Sequence, residues 1–322
     1  MTIPLLSRLA RSAAVATGIL SGALASLTGT GPATAGPVVL PHSQELQLTS
    51  KAGLPYRIFI ALPTEPPPRG GYPVLYVLDG NAVAGTLSDL SRTQGGAMGG
   101  LLEPAILVAI GYPGDLAINM RRRARDLTPA PATGGGGGTY LKAEDTGAAD
   151  AFLAFIEDEL KPALTASFPI DTARQGLMGH SFGGLFTLHV LFTRPQAFST
   201  YIAASPSIWW ADRAILKEAA AFCAHPPQNH PRLLLTVGAY EQELHPALRA
   251  APDAPARARR MAARRMVDAA RELEARIVAI PGRPVEVQLE VFPGQTHGSA
   301  APYALLRGLQ FFLGPESREK PL

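Results

Sequence analysis

Residues 175–186 read QGLMGHSFGGLF. The segment opens as a short apolar run, breaks at Gly179-His180-Ser181-Phe182-Gly183, and continues as SFGGLFTLHVLFTR (181–194), whose length and apolar content predict a helix. A strand that turns sharply into a helix, with a glycine two places to either side of a serine, is the layout that presents a serine hydroxyl as a nucleophile at the end of a sheet. The turn forces the serine backbone into a strained conformation, and neighbours without side chains let the strand and helix approach each other. The helix start adds the positive end of a dipole, and the Phe182 N–H is a candidate donor to an oxyanion. In a chain with 32 glycines the bare pattern also describes an ordinary turn. The strand before it and the helix after it favour the nucleophile.

Outward from this segment, strand and helix signals alternate. QELQLTS (44–50) and YRIFIALP (56–63) alternate polar and apolar residues like an antiparallel pair. PVLYVLDG (73–80), AILVAIGY (105–112), GLMGHS (176–181), TYIAASPS (200–207), RLLLTVGA (232–239) and VEVQLEVFPG (285–294) are apolar throughout or nearly so, as strands buried on both faces of a parallel sheet are. DTGAADAFLAFIEDELKPAL (145–164), RRMVDAARELEARIVAI (264–280) and APYALLRGLQFFLG (301–314) have helical patterns. Together they predict a doubly wound α/β domain, with a mostly parallel central sheet and helices on both faces. TPAPATGGGGGT (128–139) reads as a flexible loop inside that domain.

The first 35 residues differ. Arg8 and Arg11 precede an apolar small-residue run from Ala13 to Leu27, and Ala33-Thr34-Ala35 fits a cleavage site. This is the layout of a secretory signal peptide. The run is too short for a comfortable membrane span, and no other stretch is longer. The expected organisation is a signal peptide over 1–35 and one domain over 36–322, exported to the periplasm or, as second choice, secreted. The whole chain has 29 Lys and Arg against 26 Asp and Glu, a net charge of +3, and loss of Arg8 and Arg11 leaves +1. Such a balance argues for no nucleic-acid partner. The single cysteine, Cys223, excludes an internal disulfide and sits in an apolar helical run, where a buried, inert thiol is expected. It has no His, Cys or Asp cluster of ligand spacing around it, so no metal or other cofactor is expected.

A serine nucleophile needs a base and an acid further along the chain. Of seven histidines, His297 in FPGQTHGSA lies just past the final strand pattern and just before the final helix. His189 falls inside the helix after Ser181, and His225, His230 and His245 sit in Pro-flanked loops. Glu241 is the first carboxylate after RLLLTVGA and is the candidate acid, with Glu243 and Asp253 as rivals. The N–H of Gly80 or Asn81, in the loop after the third strand, is a candidate second oxyanion donor, with Asp79 as a candidate organiser of that loop.

PVLYVLDGN, RRRARDLTP, MGHSFGGLF, AASPSIWW, VGAYEQE, RRMVDAARELEARI and FPGQTHGSA occur in this order between about residues 40 and 314. In this the chain resembles the esterase D-like family of α/β-hydrolases, and is most similar to its siderophore-esterase branch, which opens enterobactin- and salmochelin-type trilactones. The resemblance implies the α/β-hydrolase fold, with Ser181 as nucleophile, His297 as base and Glu241 as the matching acid. It also implies a small-molecule siderophore ester as substrate, iron-loaded or not. The basic loop NMRRRARDLTP (119–129) would suit such an anion, so Arg122, Arg123 and Arg125 become candidate substrate contacts, as do Trp209 and Trp210 for catechol rings. A second basic stretch, Arg257 to Arg265, reads as the exposed face of a helix. Two other readings stay open: an exported esterase or acyltransferase acting on feruloyl or acetyl esters of polysaccharide, and a non-catalytic siderophore-binding protein on a hydrolase fold.

Overall fold

The structure, a computed structural model, describes residues 38–95, 100–133 and 141–315. The expected signal peptide (1–35) and the glycine run of the 128–139 loop lie outside the described residues. Eight strands are present: β1 (Ser43–Thr49), β2 (Pro55–Ala61), β3 (Tyr72–Leu78), β4 (Ile106–Gly111), β5 (Ile170–His180), β6 (Thr200–Ala204), β7 (Arg232–Tyr240) and β8 (Glu286–Thr296). They form one sheet in the order β1-β2-β4-β3-β5-β6-β7-β8. β2 pairs antiparallel with both β1 and β4, and every other pairing is parallel. This is the α/β-hydrolase arrangement that the sequence pattern leads one to expect.

The helices are α1 (Gly80–Gln94), α2 (Met120–Leu127), α3 (Ala149–Phe155), α4 (Lys161–Ser167), α5 (Phe182–Thr193), α6 (Trp210–Arg213), α7 (Ile215–Ala224), α8 (Ala254–Arg264), α9 (Met266–Val278) and α10 (Ala300–Leu313). A π turn over Ile156–Leu160 joins α3 to α4, just ahead of Pro162, whose ring cannot sit in an unbroken helix. The continuously apolar strands serve two cores by simple alternation. Val74, Tyr76 and Leu78 of β3 pack with α3, α5 and α7, while Leu75 and Val77 pack with Leu87 of α1 and Leu305 and Leu309 of α10. No helix among the described residues is long and apolar enough to cross a membrane.

Two segments read as loops are helices. The residues after β3 form α1, and NMRRRARDL forms α2. Beside the exposed Met120, only Ala124 and Leu127 give α2 an apolar signal, and both are buried. The helix is set by its cap: Asn119 Oδ1 accepts from the Arg122 N–H at 3.2 Å.

Candidate active site

Parallel strands all point their carboxyl ends at one edge of the sheet, and that edge is where the backbone is strained. Asp79 (φ 58°), Ser181 (φ 64°) and Ser205 (φ 44°) follow β3, β5 and β6 directly, and all three have positive φ. Non-glycine residues take such values at a cost of about 1–3 kcal/mol each, sustained by the surrounding packing. The glycines around Ser181 share the steric burden unequally. A Cβ on Gly179 would meet the Gly183 carbonyl at 2.4 Å, and one on Gly184 would meet the Ala204 carbonyl oxygen at 2.6 Å. At Gly183 the nearest atom is 3.5 Å away, ordinary contact. The close approach therefore runs through Gly179 and Gly184 rather than through both glycines of the pentapeptide.

Three chain-distant side chains meet at this edge. His297 Nδ1 lies 2.6 Å from Glu241 Oε2, and His297 Nε2 lies 3.0 Å from Ser181 Oγ. A carboxylate only accepts, so Nδ1 carries the hydrogen and donates to Glu241, leaving Nε2 to accept from the Ser181 hydroxyl. Glu241 is buried, and its other oxygen accepts from Ser205 Oγ at 2.6 Å and the Gly238 N–H at 2.7 Å. Burial works to raise the Glu241 carboxyl. The bonds from His297, Ser205 and Gly238 outweigh it and hold the group below its ordinary range, so it stays ionised. Glu243 is exposed, and Asp253 is an exposed partner of Arg257, so neither stands in this array. His180 packs its ring 4.6 Å from that of His297. Burial first, then the neighbouring His297, pushes the His180 imidazole down to about 3 from 6.5, so His180 stays neutral beside the array. Ser207 completes the surroundings: its N–H donates to the Ser181 carbonyl at 3.1 Å, and its hydroxyl lies 3.5 Å from Ser181 Oγ.

Asp79 organises the loop between β3 and α1. Its carboxylate takes both Nε and Nη2 of Arg123, at 2.9 and 3.0 Å, and Arg123 Nη2 also donates to the His180 carbonyl at 3.2 Å. The pair ties the start of α1 to the turn holding Ser181. Gly80 and Asn81 are the first residues of α1 and Phe182 the first of α5, where backbone N–H groups have no partner within the helix. The Asn81 side chain pins this start to the loop after β4, accepting from the Tyr112 N–H at 2.7 Å and donating to the Tyr112 carbonyl at 2.9 Å.

The expected arginine contacts with substrate need correction. Arg123 is 5% exposed and committed to Asp79. Arg122 lies between the rings of Tyr56 and Tyr112, at 4.9 and 5.1 Å, and Arg125 binds the fully buried Asp126 at 2.6 Å. Because the segment is a helix, these side chains turn inward and hold the fold around Asp126 and Asp79. Trp210 is likewise buried, 1% exposed, with Nε1 donating to the Ala130 carbonyl at 2.8 Å. Trp209 is the tryptophan that faces the site. It lines a cleft of about 290 Å³ together with Ser181, His297, Leu244, Met261 and Met266. Arg257 and Arg264 of α8 line the same cleft, as does His245, so neither the second basic stretch nor His245 is simply a solvated surface. Sequence reasoning read Arg257 to Arg265 as the exposed face of a helix and missed its place in the cleft, because no local pattern says which face of a basic helix turns toward a distant serine. Ser205 and Ser207 were within reach, since both lie in AASPSIWW. Cys223 is half-buried in α7, and burial pushes its thiol up.

The family model described as "Putative esterase" matches residues 49–279, and the chain belongs to that family. It is similar to the siderophore triacetylfusarinine C esterase of Aspergillus fumigatus, 39% identical over 86% of this chain and 94% of that protein. It is also similar to the ferri-bacillibactin esterase BesA of Bacillus subtilis, 36% identical over 81% of this chain and 86% of that protein. Among solved structures it is similar to the siderophore hydrolase EstB of Aspergillus nidulans, 32% identical with a TM-score of 0.78, covering 90% of this chain and all of that one. The chain is thus a hydrolase of an esterase family whose named relatives act on siderophores.

Proposed function

We propose that this protein is an exported serine esterase that opens the ester bonds of a catecholate trilactone siderophore, such as enterobactin, to release its iron. The observation that carries the reading is the continuous array Ser181–His297–Glu241, with bonds of 3.0 and 2.6 Å, on the floor of a cleft beside Trp209. Ser181 Oγ attacks the ester carbonyl as its proton passes to His297 Nε2. Glu241 holds the resulting imidazolium in place and stabilises its charge. The N–H of Phe182 and that of Gly80 or Asn81 receive the oxyanion. Collapse of the tetrahedral intermediate breaks the C–O bond, and His297 returns the proton to the leaving alkoxide. Water, deprotonated by His297, then hydrolyses the acyl-enzyme to the free acid and restores Ser181. Export is supported by the layout of residues 1–35, and the siderophore substrate by the names of the relatives.

The full chain is incubated with iron-loaded and iron-free enterobactin, and linear products are followed by chromatography. Turnover that falls by about 10⁴-fold or more in Ser181→Ala supports the reading. Hydrolysis of feruloyl or acetyl esters without any trilactone turnover would leave an esterase with another substrate. Binding without any hydrolysis would favour the non-catalytic reading.

A further inference from the structure

Of the arginines of 119–129, Arg122, Arg123 and Arg125 are held by Tyr56, Asp79 and Asp126, and the exposed Arg121 pairs with Asp145 at 3.0 Å; the arginines that line the cleft with Ser181 come from α8. Residues 246–264 carry five arginines (249, 257, 259, 260 and 264) against one carboxylate, Asp253. This surplus runs along α8, which closes one side of the cleft. Arg257, Met261 and Arg264 fall at i, i+4 and i+7, one face of the helix, and all three line the cleft with Ser181. Arg259 is exposed and points about 200° away from Arg257 around the helix axis. The Arg264 guanidinium sits 4.1 Å from the centroid of the Trp209 ring. A guanidinium so placed is attracted by the negative face of the ring, which holds its charge at the cleft wall. Arg257 is partly exposed and held in place by Asp253 at 2.9 Å. The result is an aromatic ring and two planar cations lining one cleft of about 290 Å³ with Ser181.

The substrate's charge depends on whether it carries iron. A free catechol, with phenolic protons that leave near pH 10, is neutral at pH 7. In a ferric tris-catecholate six phenolate charges surround Fe³⁺, so the complex carries three negative charges while its ester bonds are unchanged. Resting on the esterase reading above, we propose that Arg257 and Arg264, positioned with Trp209, recognise the anionic ferric catecholate and make the enzyme selective for iron-loaded over iron-free trilactone. Each arginine supplies a partly exposed, charge-assisted contact, worth a factor of about 3–10 in relative kcat/KM and about 10–100 for the pair.

The test uses the purified full chain and measures kcat/KM for ferric and iron-free enterobactin side by side. The wild type should prefer the ferric form, and the preference should shrink as ionic strength rises from about 0.05 to 0.5 M. In Arg257→Gln/Arg264→Gln the ferric-to-free ratio should fall by about tenfold or more, and in Arg259→Gln it should stay put. An unchanged ratio in the double variant, or an equal fall for both substrates, overturns the proposal. Binding is measured separately in the Ser181→Ala background, by quenching of tryptophan fluorescence with the ferric complex of 2,3-dihydroxybenzoate. There the double substitution should weaken Kd by about tenfold or more, and unchanged binding again overturns the proposal. If the wild type hydrolyses neither form of the trilactone, the trilactone substrate reading fails, and this binding measurement still decides the role of the arginines.

Discussion

Asp79→Asn is expected to destabilise the protein by about 3–5 kcal/mol, because it strips the charge from a buried ion pair and leaves its partner behind. The two residues are 9% and 5% exposed, and Arg123 reaches the carboxylate through two bonds of 2.9 and 3.0 Å. Burial works against the guanidinium charge and the Asp79 carboxylate outweighs it, so Arg123 stays protonated with or without comfort from its surroundings. Without that carboxylate it keeps the His180 carbonyl at 3.2 Å, the weakly accepting Met120 Sδ at 3.9 Å and the Phe182 ring at 5.2 Å, none of them charged. Asparagine keeps the shape, so the loss reports charge rather than packing. At about 2–4 °C per kcal/mol for a domain of some 250 residues, the melting temperature should fall by about 6–20 °C. Removing both charges in Asp79→Leu/Arg123→Met should cost less than the two single changes together, with a coupling of about 2 kcal/mol or more. Thermal melts and urea titrations of the wild type, Asp79→Asn, Asp79→Leu, Arg123→Met and the double variant measure this. Activity follows the same pair, since a displaced His180 carbonyl shifts Ser181, and a misplacement of about 1 Å costs on the order of 10²-fold in rate. A wild-type-like melt for Asp79→Asn, or additive single changes, would refute the argument. Arg123→Met that raises KM while leaving the melt unchanged would return Arg123 to a substrate role.

Two further outcomes test other parts of the fold. His189 is buried in α5 between Glu218 at 2.9 Å and Asp150 at 3.2 Å; burial works to lower its pKa, and the two carboxylates outweigh it and raise it above 6.5. Its contribution to stability is therefore full below about pH 6.5 and fades as pH rises through the raised value, so the melting-temperature gap between wild type and His189→Gln should be widest near pH 5.5 and narrow toward pH 9. Gly184→Ala drives a Cβ to 2.6 Å from the Ala204 carbonyl oxygen, next to the strained Ser205, and should cost about 2 kcal/mol or more in urea unfolding together with most of the activity. Gly183→Ala, with its nearest contact at 3.5 Å, should stay within about 1 kcal/mol of wild type. Equal costs at the two glycines would mean that the packing against Ala204 is not what demands a glycine.

Hydrophobic patterning made the sheet legible because each central strand is apolar on both faces and bounded by turn residues. The segments it missed were α1, whose stripe of Val83, Leu87 and Leu90 is interrupted by small and polar residues, and α2, which is mostly charged. α2 spends its charged residues inward, in pairs with Asp79 and Asp126, which a pattern of polar letters reads as surface.

Ser181 was marked by its own neighbours, because the strain of a strand-to-helix turn has to be met locally by small residues. His297 and Glu241 were marked by their places just past strands. Chain order along a parallel sheet brings every such place to one edge, so these three side chains were nameable before they were seen within hydrogen-bond reach of one another. Which arginines face the cleft could not be read this way. A run of basic residues looks the same whether it folds against Asp79 or leans over Trp209. The choice between them depends on carboxylates and rings brought close from 44 or more positions away, as with Asp79 and Arg123, and only tertiary structure supplies those.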